Sequence, residues 1–223
     1  MQTKLYIVDF PRRSDYAEAA VIQNTYNYNR IARCPECGAP VSGAYWTRPR
    51  EAVLTKRKAP DFLYTFTDNV PFLLSHNALE KFRQAGLTGI INAEEIETVR
   101  FQRKSKTETE VPRYYHVELA RSRITIHHEK SVIHYGDIRH GSYCPLCNQA
   151  EKTLNFTRHL EFHTECYEGY DIFQIYEMGN TTFLSQRFVD FCQENSLTNL
   201  HHTPAQKHDS WAASYFLDGN ENA

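Results

Sequence analysis

Residues 33–38 read Arg-Cys-Pro-Glu-Cys-Gly and residues 143–148 read Tyr-Cys-Pro-Leu-Cys-Asn. A CxxC turn aims two thiolates at one tetrahedral ion with a Zn–S distance of ~2.3 Å. Pro sets the approach, and Gly38 or Asn148 tolerates the positive φ on which such a turn closes. Neither turn has four ligands of its own. His140, the histidine nearest to either pair, precedes its cysteines and does not follow them at zinc-finger spacing. Cys34, Cys37, Cys144 and Cys147 are therefore expected to pool around one structural Zn2+. A redox dithiol would want its CxxC at a helix start beside a βαβ pattern, and a catalytic zinc would want an open coordination position. The sequence offers neither context. Cys166 and Cys192 lack such partners and read as ordinary buried or half-buried thiols.

The two pairs lie 144 − 34 = 110 residues apart. Sliding the chain along itself by that offset aligns Trp46-Thr47-Arg48 with Phe156-Thr157-Arg158, Glu51 with Glu161, and Asp61 with Asp171. Leu74-Ser75 then falls on Leu184-Ser185, and Leu87-Thr88 on Leu197-Thr198. Chance identities gathered by an offset chosen from the cysteines are the competing explanation, but the matches keep register over a long stretch, which favours a duplicated unit. Each copy reads as a CxxC knuckle, a strand (Asp61–Phe66; Asp171–Tyr176), a second strand (Phe72–Leu74; Thr182–Leu184) and a helix. Ser75 and Ser185 stand where N-caps belong. Ala78, Leu79 and Phe82, like Phe188, Val189 and Cys192, follow one-sided helical spacing. Gly86 supplies a left-handed C-terminal position, with Asn195-Ser196 as the weaker counterpart.

Between the copies, Glu97–Arg103, Tyr114–Ala120 and Ile124–His128 alternate and are rich in β-branched and aromatic residues, so they predict strands of a β-rich insert. Lys104–Glu110 is the exposed hairpin loop within it. The expected organisation is α+β: two related strand-helix lobes, bridged by the shared four-cysteine knuckle pair, with the insert between them. Its segments are an N-terminal strand and helix (1–33), the first repeat (34–95), the insert (96–143), the second repeat (144–204) and a polar tail (205–223), the whole forming one compact unit.

With 41% hydrophobic residues, 13% aromatic and no apolar run near the ~20 residues of a membrane span, the chain reads as soluble and globular. Its opening, MQTKLYIVDFPRR, holds a short apolar stretch from Leu5 to Phe10 with no cleavage site, so it reads as a first strand in a cytoplasmic protein. Lys plus Arg total 25 against 27 Asp plus Glu, a net charge of −2 that supplies no general attraction to nucleic acid. Arg48, Arg50, Lys56, Arg57 and Lys58 beside the first knuckle still keep a zinc-ribbon-like nucleic-acid-binding or regulatory role as the alternative; a solvated face is their blander explanation.

No catalytic pattern emerges. His159 and His163 are spaced i, i+4, but a zinc protease helix needs Glu directly after the first His. The doublets His127-His128 and His201-His202 sit in strand-like segments, where neighbours point to opposite faces. There is no GxSxG, P-loop or GxGxxG, and Cys166 with His163 has no supporting group. A non-enzymatic protein is expected.

These features resemble the double-CXXCG motif family of bacterial proteins, regarded as immunity proteins against polymorphic or contact-delivered toxins. The resemblance runs from about Cys34 to Pro204. It is carried by Cys34-Pro35-Glu36-Cys37-Gly38, by Leu73 to Leu79 and Ala85 to Gly89, by Cys144 and Cys147, and by Phe183-Leu184-Ser185-Gln186-Arg187-Phe188. Asn148 and Ser196 depart from it by standing where glycine is usual. It implies an immunity protein that binds and neutralises a cognate toxin; the cysteine spacing adds one structural zinc, and composition and charge argue against a membrane or nucleic-acid partner.

Overall fold

The structure is a computed structural model that describes residues 4–9, 15–22, 26–27, 31–42, 45–67, 70–102, 112–138, 144–147 and 152–209. The first part of the chain forms β1 (Leu5–Val8), β2 (Ala19–Ile22), β3 (Tyr26–Asn27), β4 (Tyr45–Trp46), β5 (Glu51–Leu54), β6 (Phe62–Thr67), β7 (Val70–Ser75), α1 (His76–Gln84), β8 (Ile90–Glu95) and β9 (Thr98–Phe101). The second forms β10 (Tyr114–Leu119), β11 (Arg121–Ser122), β12 (Thr125–Ile126), β13 (Val132–Ile138), β14 (Lys152–Arg158), β15 (Phe162–His163), β16 (Ile172–Ile175), β17 (Thr182–Ser185), α2 (Gln186–Glu194) and β18 (His202–Pro204). The fold is α+β and mostly β.

Both helices start and stop as their residues dictate. Ser75 and Ser185 accept hydrogen bonds from the N–H groups of Ala78 and Phe188, and the buried faces are Ala78, Leu79 and Phe82 in α1 and Phe188, Val189 and Cys192 in α2. Gly86 and Ser196 both take positive φ just beyond the helix ends, +62° and +52°. Only the glycine does so without crowding its own Cβ.

The strand pairings extend the duplication well beyond the knuckle-to-helix segment. One sheet runs β8-β10-β7-β6-β2-β5-β9 and the other β11-β16-β17-β1-β18. In the first, β10 lies between β7 and β8, with Tyr114 opposite Ser75 and Tyr115 opposite Glu95. In the second, β1 lies between β17 and β18, with Leu5 opposite Ser185 and Tyr6 opposite Pro204. Each partner of β1 is the counterpart of a partner of β10. The strand that opens each copy has therefore crossed into the other copy's sheet, so neither sheet is complete without the other half. All four residues of β1 are buried, so both faces of this strand are covered.

These pairings revise two expectations. Tyr114–Leu119 pairs with β7 and β8, Thr125–Ile126 with β15 and Thr98–Phe101 with β5, so the three segments do not gather into one insert. Within the first 33 residues no helix is found among the described residues: the short, partly β-branched segment Ala19–Ile22 pairs residue by residue with β5. Residues 104–110, expected as a loop, lie outside the described residues.

The first sheet is curled. Its two edge strands, β8 and β9, are separated in sequence only by Ile96 and Glu97, so the chain bends and pairs first with β10 and then with β5. Arg50 holds the bend. Its backbone N–H bonds Glu97 at 2.8 Å, its Nε donates to the Trp46 carbonyl at 3.0 Å, and its wholly buried guanidinium meets Glu94 at 2.5 Å.

Between the sheets, the two helices meet through Phe82 and Phe188, whose ring centroids are 4.9 Å apart, in a core that also takes Tyr6, Phe62, Phe72, Ile172 and Leu184. Full burial of such side chains stabilises by about 1.5–3 kcal/mol each.

A paired carboxylate clasp locks the halves. Asp61 accepts from Ser75 Oγ at 2.6 Å in its own copy, then from Thr198 N and Thr198 Oγ1 of the other, both at 3.0 Å. Asp171 repeats the pattern with Ser185 Oγ at 3.1 Å, Thr88 N at 2.9 Å and Thr88 Oγ1 at 3.1 Å. Burial works against an ionised Asp61, but the bonds from Ser75, Asn77 and Thr198 win and hold its pKa below the ordinary value.

Candidate metal centre

Each knuckle is presented by a hairpin. The first sits between β3 and β4, the second between β13 and β14. Around Cys34 the backbone closes a tight turn: Gly38 N–H donates to the Cys34 carbonyl and Cys34 N–H to the Ala39 carbonyl, both at 2.9 Å. Gly38 takes the positive φ of +74° that this turn requires.

The two turns stand face to face. Cys34 Sγ lies 3.7 Å from Cys144 Sγ and Cys37 Sγ lies 3.5 Å from Cys147 Sγ. All four sulfurs are within 4.8 Å of one another. Four ligands at ~2.3 Å from a tetrahedral centre would stand roughly 3.8 Å apart, close to these separations. The same distances are far beyond the ~2.05 Å of a disulfide, and all six cysteines are free thiols. The pairing obeys the copy offset, since Cys34 meets Cys144 and Cys37 meets Cys147.

The surroundings suit an ion of fixed coordination. Cys34, Cys144 and Cys147 are buried with Val41 and Leu146, and only Cys37 reaches solvent. Burial opposes ionisation of Cys144, but the backbone N–H groups of Cys147 and Leu146 point at its sulfur, and its pKa comes down to about 7. A thiol poised in that way gives up its proton readily to a metal. Arg123 bonds Glu36 at 2.6 Å and so ties the first turn to the second copy.

The remaining candidates do not converge. Among the described residues, the four cysteines are the one group of three or more His, Cys, Asp or Glu placed to hold a metal. His159 turns to the Gln206 carbonyl, while His163 stacks on His127 with centroids 4.4 Å apart. His128 bonds the buried Glu177 at 2.8 Å, and His202 packs edge-on against Tyr6. Burial pushes the Cys192 thiol up to about 12, which keeps it protonated. Cys166, expected to be at least half buried, is exposed on a turn.

The basic cluster of the nucleic-acid alternative is dispersed. Arg50 is buried in the first sheet, Arg48 lies beside Glu94 and Glu97, and only Lys56, Arg57 and Lys58 stand together on the surface. The sequence reading missed the Asp61 and Asp171 clasp, although the two aspartates align at the copy offset and each precedes its N-cap serine by fourteen residues. It also missed Arg50–Glu94, where Arg50 stands just before β5 and Glu94 lies on β8, with no shared pattern.

Four cysteines gathered at one point in a mostly β, α+β fold define a scaffold with one candidate metal site. The profile of the Immunity protein family (Imm11) matches residues 88–207, more than half of the chain, and the chain belongs to that family. The match takes in α2, the second knuckle and most of the second copy. No curated protein matches the sequence.

Proposed function

We propose that this protein is a stoichiometric inhibitor: it binds a cognate toxin in the cytoplasm and blocks its active site or an essential surface, with no chemistry of its own. Membership of the immunity family is the observation that carries this reading. In it, Cys34, Cys37, Cys144 and Cys147 hold one zinc ion. Four thiolates would leave that ion no open position, so it would supply structure and no reactivity. Zinc worth ~10–16 kcal/mol in small zinc peptides is on the scale of a whole domain's stability, which suits a clip between two halves that have exchanged strands.

The test is affinity purification of the tagged chain from its native cell, with bound protein and nucleic acid both analysed. An equimolar protein partner that is toxic unless this chain is co-expressed supports the reading. Nucleic acid that leaves as salt is raised, with no toxic partner, overturns it in favour of the nucleic-acid alternative.

A further inference from the structure

Zinc has no redox state to change, but the thiolates that hold it do, so the ligand sulfurs carry a chemistry that the ion lacks. Which products they can form depends on which sulfurs touch. Two short contacts run across the turns: Cys37 Sγ to Cys147 Sγ at 3.5 Å and Cys34 Sγ to Cys144 Sγ at 3.7 Å. Each needs to close by about 1.5 Å to reach the ~2.05 Å of a disulfide, and the two use different sulfurs, so one does not block the other.

The first turn is kept in place by bonds that need no ion. Gly38 N–H donates to the Cys34 carbonyl, Arg33 Nη1 donates to the Gly38 carbonyl at 3.0 Å, and Arg123 Nη2 donates to Glu36 at 2.6 Å. Exposure then sets the order of attack. Cys37 is exposed, whereas Cys147 is fully buried and Cys34 and Cys144 are 2% and 4% accessible. A dissolved oxidant meets Cys37 first, with the Cys147 sulfur already in contact with it. Of the other two thiols, Cys192 is packed in the core, and Cys166, though exposed, stands outside the four-sulfur group.

We propose that the four cysteines form a redox device: a hydroperoxide oxidises Cys37 and Cys147 to one disulfide across the turns, then Cys34 and Cys144 to a second, and the ion leaves while the turns stay joined. The Cys37 thiolate attacks a peroxide oxygen, the O–O bond breaks and hydroxide departs, leaving a sulfenic acid. The Cys147 thiolate then attacks that sulfur, an S–S bond forms, and the S–O bond breaks to release a second hydroxide. The two sulfurs together lose two electrons and the peroxide gains them. An ion left with two thiolates is no longer held in a closed site and is released. A second peroxide repeats the steps at Cys34 and Cys144.

Each disulfide joins residues 110 apart, since 147 − 37 and 144 − 34 are both 110. A cross-link that closes so long a loop restricts the unfolded chain more than one inside a CxxC turn. The oxidised protein therefore keeps its fold without the metal. This device goes beyond the inhibitor reading and does not depend on it.

The native protein, its metal content measured beforehand, is titrated with hydrogen peroxide, the remaining thiols are alkylated, and the tryptic peptides are mapped without reduction. Trypsin leaves Cys34 with Cys37 in one peptide and Cys144 with Cys147 in another. About one equivalent of peroxide should join the two peptides through Cys37 and Cys147, with Cys34 and Cys144 alkylated and the metal lost in step. The fully oxidised protein should melt at a higher temperature than reduced protein stripped by a chelator. Two separate peptides, each closed on itself, overturn the proposal, as does a sulfinic acid at Cys37 in place of a disulfide. So does a melting temperature no higher than that of the stripped protein. Cys166→Ser should give the same map; loss of the linkage in that variant makes Cys166 the thiol that meets the oxidant and overturns the proposal. If the protein as purified holds no metal, the zinc assignment fails, and the peptide map and melting temperatures alone decide the disulfides.

Discussion

Replacing Asp61 by Ala should destabilise the whole protein, because one carboxylate serves both copies. It accepts Ser75 Oγ at 2.6 Å and Asn77 Nδ2 at 3.0 Å, and it holds Thr198 N and Oγ1 of the other copy at 3.0 Å each. A hydrogen bond to a charged group contributes about 1.5–3 kcal/mol, and four sharing one carboxylate do not add, so the expected loss is about 3–5 kcal/mol. Against a total of about 5–15 kcal/mol this is severe. With a urea m-value of about 1–3 kcal/mol/M, the midpoint should fall by roughly 1–5 M without change of slope. Asp171→Ala should cost a similar amount, since Asp171 holds Ser185, Thr88 and Arg187 in the same way. The folded-state pKa of Asp61 lies below the 3.8 of an ordinary aspartate. Its contribution is therefore present above that pH and is lost as pH falls below it, and Asp61→Asn should flatten that acid limb. Losses below ~1 kcal/mol for both alanine variants, or a large loss for one alone, would refute the reciprocal clasp.

Three further outcomes follow from particular contacts. Cys34→Ser or Cys144→Ser alone should lower zinc content and melting temperature together, the latter by about 10 °C or more; unchanged zinc in either variant contradicts the shared site. Gly89→Ala should destabilise by about 3–5 kcal/mol in chemical denaturation, because a Cβ there would lie 1.8 Å from the Ile172 carbonyl oxygen on backbone at φ +110°. Burial drives the His116 pKa down to about 4, so folding favours the neutral ring. Stability should fall by about 2 kcal/mol between pH 7 and 5 as the unfolded chain takes up the proton, and His116→Ile, which copies Ile7 of the other half, should remove that slope.

The sequence made the knuckles, both N-caps, the buried helix faces and the two strand-helix units legible, because each rests on local chemistry with fixed spacing. The convergence of the four cysteines could be read by counting thiols in each pair. The strand exchange was hidden by a single residue of spacing. Lys4-Leu5-Tyr6-Ile7-Val8-Asp9 resembles Arg113-Tyr114-Tyr115-His116-Val117-Glu118, but the offset there is 109, so a gapless slide by 110 misses it. Even with the likeness found, which sheet each strand enters depends on long-range packing that periodicity does not encode. The same applies to Arg50: next to Pro49 and Glu51 it reads as a surface cation, and only the curl of the first sheet buries it against Glu94.

The inhibitor reading is tested most directly by titrating the purified protein, zinc bound, into the activity assay of the toxin captured with it. Inhibition that is immediate and complete at one chain per toxin, and that reverses when the two are separated with the toxin intact, is the predicted result. Inhibition that grows with time at substoichiometric amounts, or a toxin recovered chemically altered, would contradict it and make the protein an enzyme.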